Sequence, residues 1–307
     1  MVLSAGAVDT PKILLLSGIG PKEDLSELSI ECIDDLPIGR NLQDHALVPI
    51  IYKQRDGVND RPSFFTNPAA ISEAREQFAI NQTGPMSVFY NNIVLGYLKS
   101  PELYDTEEFK DLPDDVKEHI KKRTVPSWEL MTFFPALAPT SKKEETYATF
   151  VTAIMNPQSR GYIKISSADP RDDPICDPRL LTHPFDRRNM IQALRKVVEL
   201  AESPSMAKDI IGTLHAPASK SDEDLWAYAC MTAKTVWHPC STVKMGTKDD
   251  PNACVDTSFR LRGMKNLRVV DLSVLPFLLN CHPASVAYLV GEIAAEKIAV
   301  DHGLRWD

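Results

Sequence analysis

Apolar positions at the two ends of the chain fall in strand-then-helix order, and between them alternate strand-like and helix-like periods. Residues 2–5 form a short apolar run that predicts a strand. Gly6 follows, and Thr10-Pro11 predicts a helix start, because threonine caps an N-terminus and proline fits a first turn. Ile13 to Leu16 continue that helix, and Ser17-Gly18-Ile19-Gly20-Pro21 stops it. A strand ending at a glycine beside a helix N-terminus is one way to hold phosphate or a polar cofactor, and it is also a common structural junction.

The middle of the chain is mixed. Residues 46–53 alternate as a strand does, and 54–66 are polar and turn-like. Residues 68–79 and 107–122 carry helical patterning, the second flanked by Pro113 and Pro126. Trp128 to Phe134 and Thr146 to Ile154 are rich in aromatic and β-branched residues and predict strands. Ser159-Arg160-Gly161 predicts a turn and Tyr162 to Ile165 the next strand. Residues 184–202 form an amphipathic helix with Met190, Leu194, Val197, Val198 and Leu200 on or near one face. Ser221-Asp222-Glu223-Asp224 opens a helix reaching about Thr232. Residues 266–271 predict a strand ending in an acid, and a last helix runs from Ala284 through Gly291, Ala294 and Ala295 to about Val300. The fold class is therefore mixed α/β (α+β). One domain is completed by both termini, residues 1–45 and 236–307. A second, residues 46–235, is inserted between them, with a mostly antiparallel sheet and helices.

Composition narrows the function. The 307 residues are 43% hydrophobic and 25% charged, as in soluble globular proteins. A net charge of −8 argues against nucleic acid as a partner. The run Lys121-Lys122-Arg123 reads as a basic helix C-terminus. No apolar stretch is long enough to span a bilayer, and Met1-Val-Leu-Ser-Ala-Gly6 has no secretory pattern. Met1 sits directly on a predicted core strand, so a missing upstream segment, or a dimer partner supplying it, is expected. The six cysteines (32, 176, 230, 240, 254, 281) have no framework or ligand spacing. They read as separate thiols in a reducing, cytoplasmic setting, with no metal site.

Four segments carry a family resemblance. They are Ser4-Ala-Gly-Ala-Val-Asp-Thr-Pro-Lys-Ile-Leu-Leu-Leu-Ser-Gly-Ile-Gly-Pro21; Pro37-Ile-Gly-Arg-Asn-Leu-Gln-Asp-His45; Asn156-Pro-Gln-Ser-Arg-Gly-Tyr162 with Asp169-Pro170 and Asp177-Pro178; and Trp237-His-Pro-Cys-Ser-Thr-Val-Lys-Met-Gly246. The last continues into Leu267 to Pro276, Asn280-Cys-His-Pro283 and Gly291 to Ala295. In this order they resemble the glucose–methanol–choline (GMC) oxidoreductases. The resemblance implies FAD as cofactor, a small-molecule alcohol as substrate, and alcohol oxidation by hydride transfer to the flavin. It also implies that residues 1–45 and 236–307 are part of an FAD-binding domain and 46–235 a substrate-binding domain. The family's opening G-x-G-x-x-G, which holds the pyrophosphate, has no match in this chain.

Alcohol oxidation needs a base for the hydroxyl proton, and a neutral imidazole suits that task. The resemblance puts His238 in that role, facing the flavin, with His282 on the other side of the substrate oxygen. It places Trp237, Asp271, Leu272, Pro283 and Ala284 at the flavin, with the last helix's N-terminal amides toward the pyrimidine ring. Core packing for Trp237 and a turn role for Asp271 stay open beside these. The resemblance sets Asp44 and His45 in a segment near the cofactor, where anchoring of the loop is the favoured role. Asn280 competes with His282 as the polar group at the hydroxyl, beside a favoured role as helix cap or loop-amide partner. Cys240 and Cys281 read as inert thiols. Phe64, Phe65, Phe89, Tyr90, Trp128, Phe133 and Phe134 are candidates for a substrate pocket or for core. Two other readings stand beside the oxidoreductase: a truncated, non-catalytic GMC-like chain that does not hold FAD by itself, and a lyase or ring-closing enzyme on the same fold, as in fungal secondary metabolism.

Overall fold

A computed structural model describes residues 1–58, 64, 67–87, 94–133 and 145–304. Its strands are β1 (Val2–Leu3), β2 (Ala46–Gln54), β3 (Leu95–Leu98), β4 (Trp128–Phe133), β5 (Tyr147–Ile154), β6 (Tyr162–Lys164), β7 (Ile175–Asp177), β8 (Ile210–His215), β9 (Lys234–Thr235) and β10 (Arg268–Val269). Its helices are α1 (Gly6–Leu16), α2 (Lys22–Glu27), α3 (Pro68–Asn81), α4 (Glu107–Lys110), α5 (Asp114–Lys121), α6 (Pro184–Ala201), α7 (Pro204–Ala207), α8 (Asp222–Thr232) and α9 (Ala284–Asp301). The chain divides into two compact units. The first comprises Met1–His45, Asn156–Thr182 and Thr235–Asp307; the second comprises Ala46–Met155 and His183–Lys234. Residues 156–182, expected inside the inserted block, pack with the terminal segments instead. The reason is backbone pairing: Leu42 and Gly161 exchange N–H···O bonds of 3.1 and 2.8 Å.

In the first unit β1 and β10 pair in parallel, Val2 with Arg268 and Leu3 with Val269. The predicted strand 266–271 shortens to these two residues because Asp271 turns the chain. Its Oδ1 accepts from Ser273 N at 2.7 Å, capping a 3-10 turn at Leu272–Val274. Its Oδ2 accepts from Gly6 N at 3.0 Å and from Thr10 Oγ1 at 2.6 Å. That carboxylate starts α1 at Gly6, so Thr10 lies inside the helix rather than capping it. Pro11 is then internal and has no N–H for the Ala7 carbonyl; Thr242 Oγ1 donates to that carbonyl instead, at 2.7 Å. The core of this unit gathers Leu14, Leu25, Val243, Val255, Val269 and Val274, all buried. On α9 a narrow buried stripe, Val286, Val290, Ala294 and Ala299, leaves Tyr288 and Leu289 exposed.

The second unit is an antiparallel sheet in the order β3-β4-β5-β2-β8. Every residue of β5 is buried, which explains a run with no polar alternation. Helix α6 packs on β5 through its buried stripe. Pro184 sits in its first turn and His183 Nδ1 accepts from Phe185 N at 3.2 Å. Within α6, Asn189 Nδ2 donates to the buried Ser127 carbonyl at 2.7 Å. The helix expected over 107–122 is broken into α4 and α5, because Pro113 has no N–H and pushes its predecessor out of helical conformation. Trp128 is a core residue, 4% exposed, with Nε1 donating to Ser100 Oγ at 3.0 Å. Phe64 is half-buried. Phe65, Phe89, Tyr90 and Phe134 lie outside the described residues. Among the described residues no helix is long and apolar enough to cross a membrane.

Residues 39–43 are laced on both sides within the first unit. Gly39 N donates to Thr242 O at 2.8 Å, and its carbonyl accepts from Ile163 N at 2.7 Å. Gly39 has φ +78°, and a Cβ there would lie 2.2 Å from the Ile163 carbonyl oxygen. Gly57 has the same φ but open space around it. Gly57→Ala is therefore expected to cost about 1–2 kcal/mol of stability, the left-handed backbone alone. Gly39→Ala is expected to cost clearly more, because backbone must also move. Urea unfolding of the two variants checks this; equal losses would sink the contact argument.

Candidate active site

The site grows from the end of that laced segment. Gln43 and Cys240 exchange backbone bonds of 3.1 and 3.0 Å, and Val236 N donates to His45 O at 3.1 Å. Asp44, buried between them, folds the second segment. Its Oδ1 accepts from His238 N at 3.0 Å and its Oδ2 from Thr235 Oγ1. Thr235 Oγ1 in turn accepts from Trp237 N at 2.7 Å. Burial raises the Asp44 pKa above the ordinary carboxylate value, against the lowering effect of the Thr235 hydroxyl and the backbone donors. Trp237 is held at φ +60°, a rare conformation for a bulky residue, with its side chain 77% exposed. It is not a core tryptophan.

Three imidazoles meet here. His45 is fully buried and His238 is 8% exposed, and their Nδ1 atoms lie 3.0 Å apart across a buried contact. The two rings stand edge to face, 80° between planes. The His238 ring also lies 5.0 Å, centroid to centroid, from that of His282, which is exposed. Burial, and then the mutual repulsion of like charges, pushes the His45 pKa down to about 3; the same causes bring His238 to about 4. Both rings are therefore neutral at ordinary pH. A neutral imidazole offers one donor and one acceptor nitrogen, so His238, with Nδ1 engaged by His45, has Nε2 as its remaining nitrogen. Such a pair can take or deliver one proton at a partly exposed ring edge.

The remaining sequence candidates fall around this frame. Ser241 N donates to Leu272 O at 3.2 Å and Val243 N to Ser273 O at 2.9 Å, so Leu272 follows the His238 segment closely. Asp271 has both oxygens engaged by protein donors and acts as the brace of α1. Pro283 is buried and Ala284 exposed at the start of α9, whose first turn has no side-chain cap. Burial pushes the Cys240 thiol up to about 12 and raises that of Cys281, so neither is a ready thiolate. For His45 the sequence favours loop anchoring over chemistry; the structure also sets its ring against His238. Sequence reading overlooked Gln43, whose Oε1 accepts from Leu278 N at 3.2 Å. The only sequence signal for either was the polar end of the 37–45 segment. Five side-chain atoms of this unit are buried with no protein partner among the described residues: Asn41 Nδ2, Gln43 Nε2, His45 Nε2, Ser273 Oγ and Asn280 Oδ1. Among the described residues no group of three or more His, Cys, Asp or Glu could hold a metal ion.

A family model described as GMC oxidoreductase matches residues 157–291, and a second of that description matches residues 1–47. An oxidoreductase of Emericella nidulans is 33% identical over 98% of this chain and 50% of its own length. Choline oxidase of Arthrobacter globiformis is 33% identical over 97% of this chain and 48% of its own. Among solved structures, a variant of formate oxidase from Aspergillus oryzae RIB40, studied for its FAD modification, superposes with a TM-score of 0.86. It is 25% identical, across 98% of this chain and 54% of its own. The chain thus spans about half the length of the curated relatives it matches. Two family models on its sequence and a matched fold along its length make one conclusion: this chain belongs to the GMC oxidoreductase family.

Proposed function

We propose that this chain carries the catalytic half of an FAD-dependent oxidoreductase acting on the CH–OH group of a small-molecule alcohol. The observation that supports this most directly is the neutral, buried His238 beside the exposed His282, its Nδ1 against that of His45. Family membership and the likeness to choline oxidase and to a formate oxidase with a modified FAD support the same reading.

The residues present fit the flavin end of the cofactor. The pyrimidine edge of a flavin carries acceptors and a donor. The unpartnered Gln43 Nε2 and Asn280 Oδ1 and the uncapped first turn of α9 are complementary to such a group. Trp237 offers a flat apolar surface in the same loop as His238. In this reading Trp237, Asp271, Leu272, Pro283 and Ala284 lie along the flavin side, Asp271 bracing the turn that carries Leu272. The chain has no G-x-G-x-x-G for the pyrophosphate end. Bound FAD supplies the hydride acceptor.

The chain's own residues handle the proton. His238 takes the hydroxyl proton at Nε2, and His282 holds the substrate oxygen from the other side. Burial of His238 keeps the ring uncharged until it accepts that proton, and the close packing around it limits water at the reacting hydroxyl.

The test uses the flavin-loaded protein under anaerobic conditions with a panel of primary and secondary alcohols. Loss of oxidised-flavin absorbance on mixing is expected with at least one. A flavin that stays oxidised throughout overturns the proposal. In that assay His238→Ala is expected to slow reduction by about 10²–10⁴-fold, with His282→Ala also strongly impaired; unchanged rates in both variants would remove the assignment. The pH profile follows from the state of His238. Its protonated form cannot act as base, so kcat/KM is expected to fall as pH drops through about 4 and to level off above it. An acid limb near the ordinary histidine value of 6.5 would mean the ring is not desolvated in the working enzyme.

A further inference from the structure

We propose that His45 is a positioning residue for the proposed base: its Nδ1 accepts a hydrogen bond from Nδ1–H of His238, fixing the tautomer that leaves Nε2 of His238 bare. The inference rests on the assignment of His238 as base, and it is argued from the 3.0 Å contact between the two Nδ1 atoms.

Two neutral imidazoles meeting through Nδ1 must split the roles of donor and acceptor. If His45 donated, His238 would carry its proton on Nε2 and have nothing there to accept one from an alcohol. If His238 donates, Nε2 is the lone pair, and His45 carries its own proton on Nε2. Only the second arrangement survives the reaction. Once His238 has taken a proton at Nε2 it is an imidazolium with both nitrogens protonated. Its Nδ1–H then still needs an acceptor, and the bond to His45 becomes charge-assisted.

The surroundings suit that division. The carboxylate of Asp44 is close in sequence but turned elsewhere, its oxygens taken by His238 N and Thr235 Oγ1. Among the described residues no carboxylate bonds the His238 ring, which separates this pair from a histidine–aspartate arrangement. The other titratable group facing the ring is His282, which also disfavours positive charge. His45 is fully buried and held neutral, so it accepts the bond without competing for the proton. Its main chain is pinned by Val236 N donating to His45 O at 3.1 Å. A neutral acceptor orients the ring without raising its basicity, whereas a carboxylate would do both. His45 Nε2, the proton-bearing nitrogen in this arrangement, has no protein partner among the described residues.

Two substitutions separate this role from packing. His45→Asn keeps an acceptor oxygen where Nδ1 lies; His45→Leu fills similar space with none. In the flavin-loaded protein, His45→Leu is expected to lower kcat by about 10–100-fold with KM little changed, and His45→Asn to recover most of that loss. Long-range 15N NMR of histidine-labelled full chain reads the tautomer directly, with His238 assigned by its absence in His238→Ala. Nδ1–H with bare Nε2 is expected in the unmodified protein and in His45→Asn, and a shift toward Nε2–H in His45→Leu. His238 found as the Nε2–H tautomer in the unmodified protein overturns the proposal, as does a His45→Leu protein with unaltered tautomer and kcat. Turnover retained in His238→Ala defeats the base assignment, a different result, and the tautomer spectrum still decides the His45–His238 bond.

Discussion

The backbone exchange between Gln43 and Cys240 holds two segments of the first unit side by side, and the site follows from it. His45 and His238 are 193 positions apart in the chain, yet their rings are brought to hydrogen-bond distance because each is the continuation of one of those paired segments. Gly39 permits the pairing, since any side chain at its φ of +78° would run into the Ile163 carbonyl. Asp44 then spends its carboxylate on backbone and hydroxyl donors of the loop 235–238 rather than on a ring. The imidazoles are left to interact with one another.

That division has an electrostatic consequence. A carboxylate on His238 would raise its pKa; burial, and then His282 nearby, lower it instead. In the functional reading proposed for the chain, the proton acceptor is therefore weak but uncharged across the usual pH range, and its direction is set by a neutral neighbour. The strained backbone at Trp237, held by Thr235, belongs to the same loop and turns its side chain outward.

Asp271 plays the corresponding part for the other strand-helix junction. Its carboxylate links Gly6, Thr10 and Ser273, and so sets where α1 begins and where the 272–274 turn sits against the 241–245 segment. Thr242 completes the arrangement by donating to the Ala7 carbonyl that Pro11 cannot serve. These are part-buried and buried polar contacts, most of them between distant parts of the chain, each satisfying a group that would otherwise be left without a partner.

Local chemistry was readable wherever it decided the outcome. The sequence by itself determined α6 and α8, through Pro184 in a first turn, Ser221 as cap and apolar residues at helical period. It determined the strands around 128–133 and 147–154 through β-branched and aromatic content, and a family-like segment singled out His238 and His282, whose ring centroids the fold sets 5.0 Å apart, as candidates. Tertiary structure decided what depends on partners far along the chain. The start of α1 moved from Thr10 to Gly6 because Asp271 reaches back to it. Residues 156–182 joined the terminal segments because Leu42 pairs with Gly161. His45 read as an anchor of its loop, and its ring's place against His238 was invisible, because no local pattern states which loop faces which. A hydrogen bond between side chains so distant in sequence exists only once the backbone between them has been laid down.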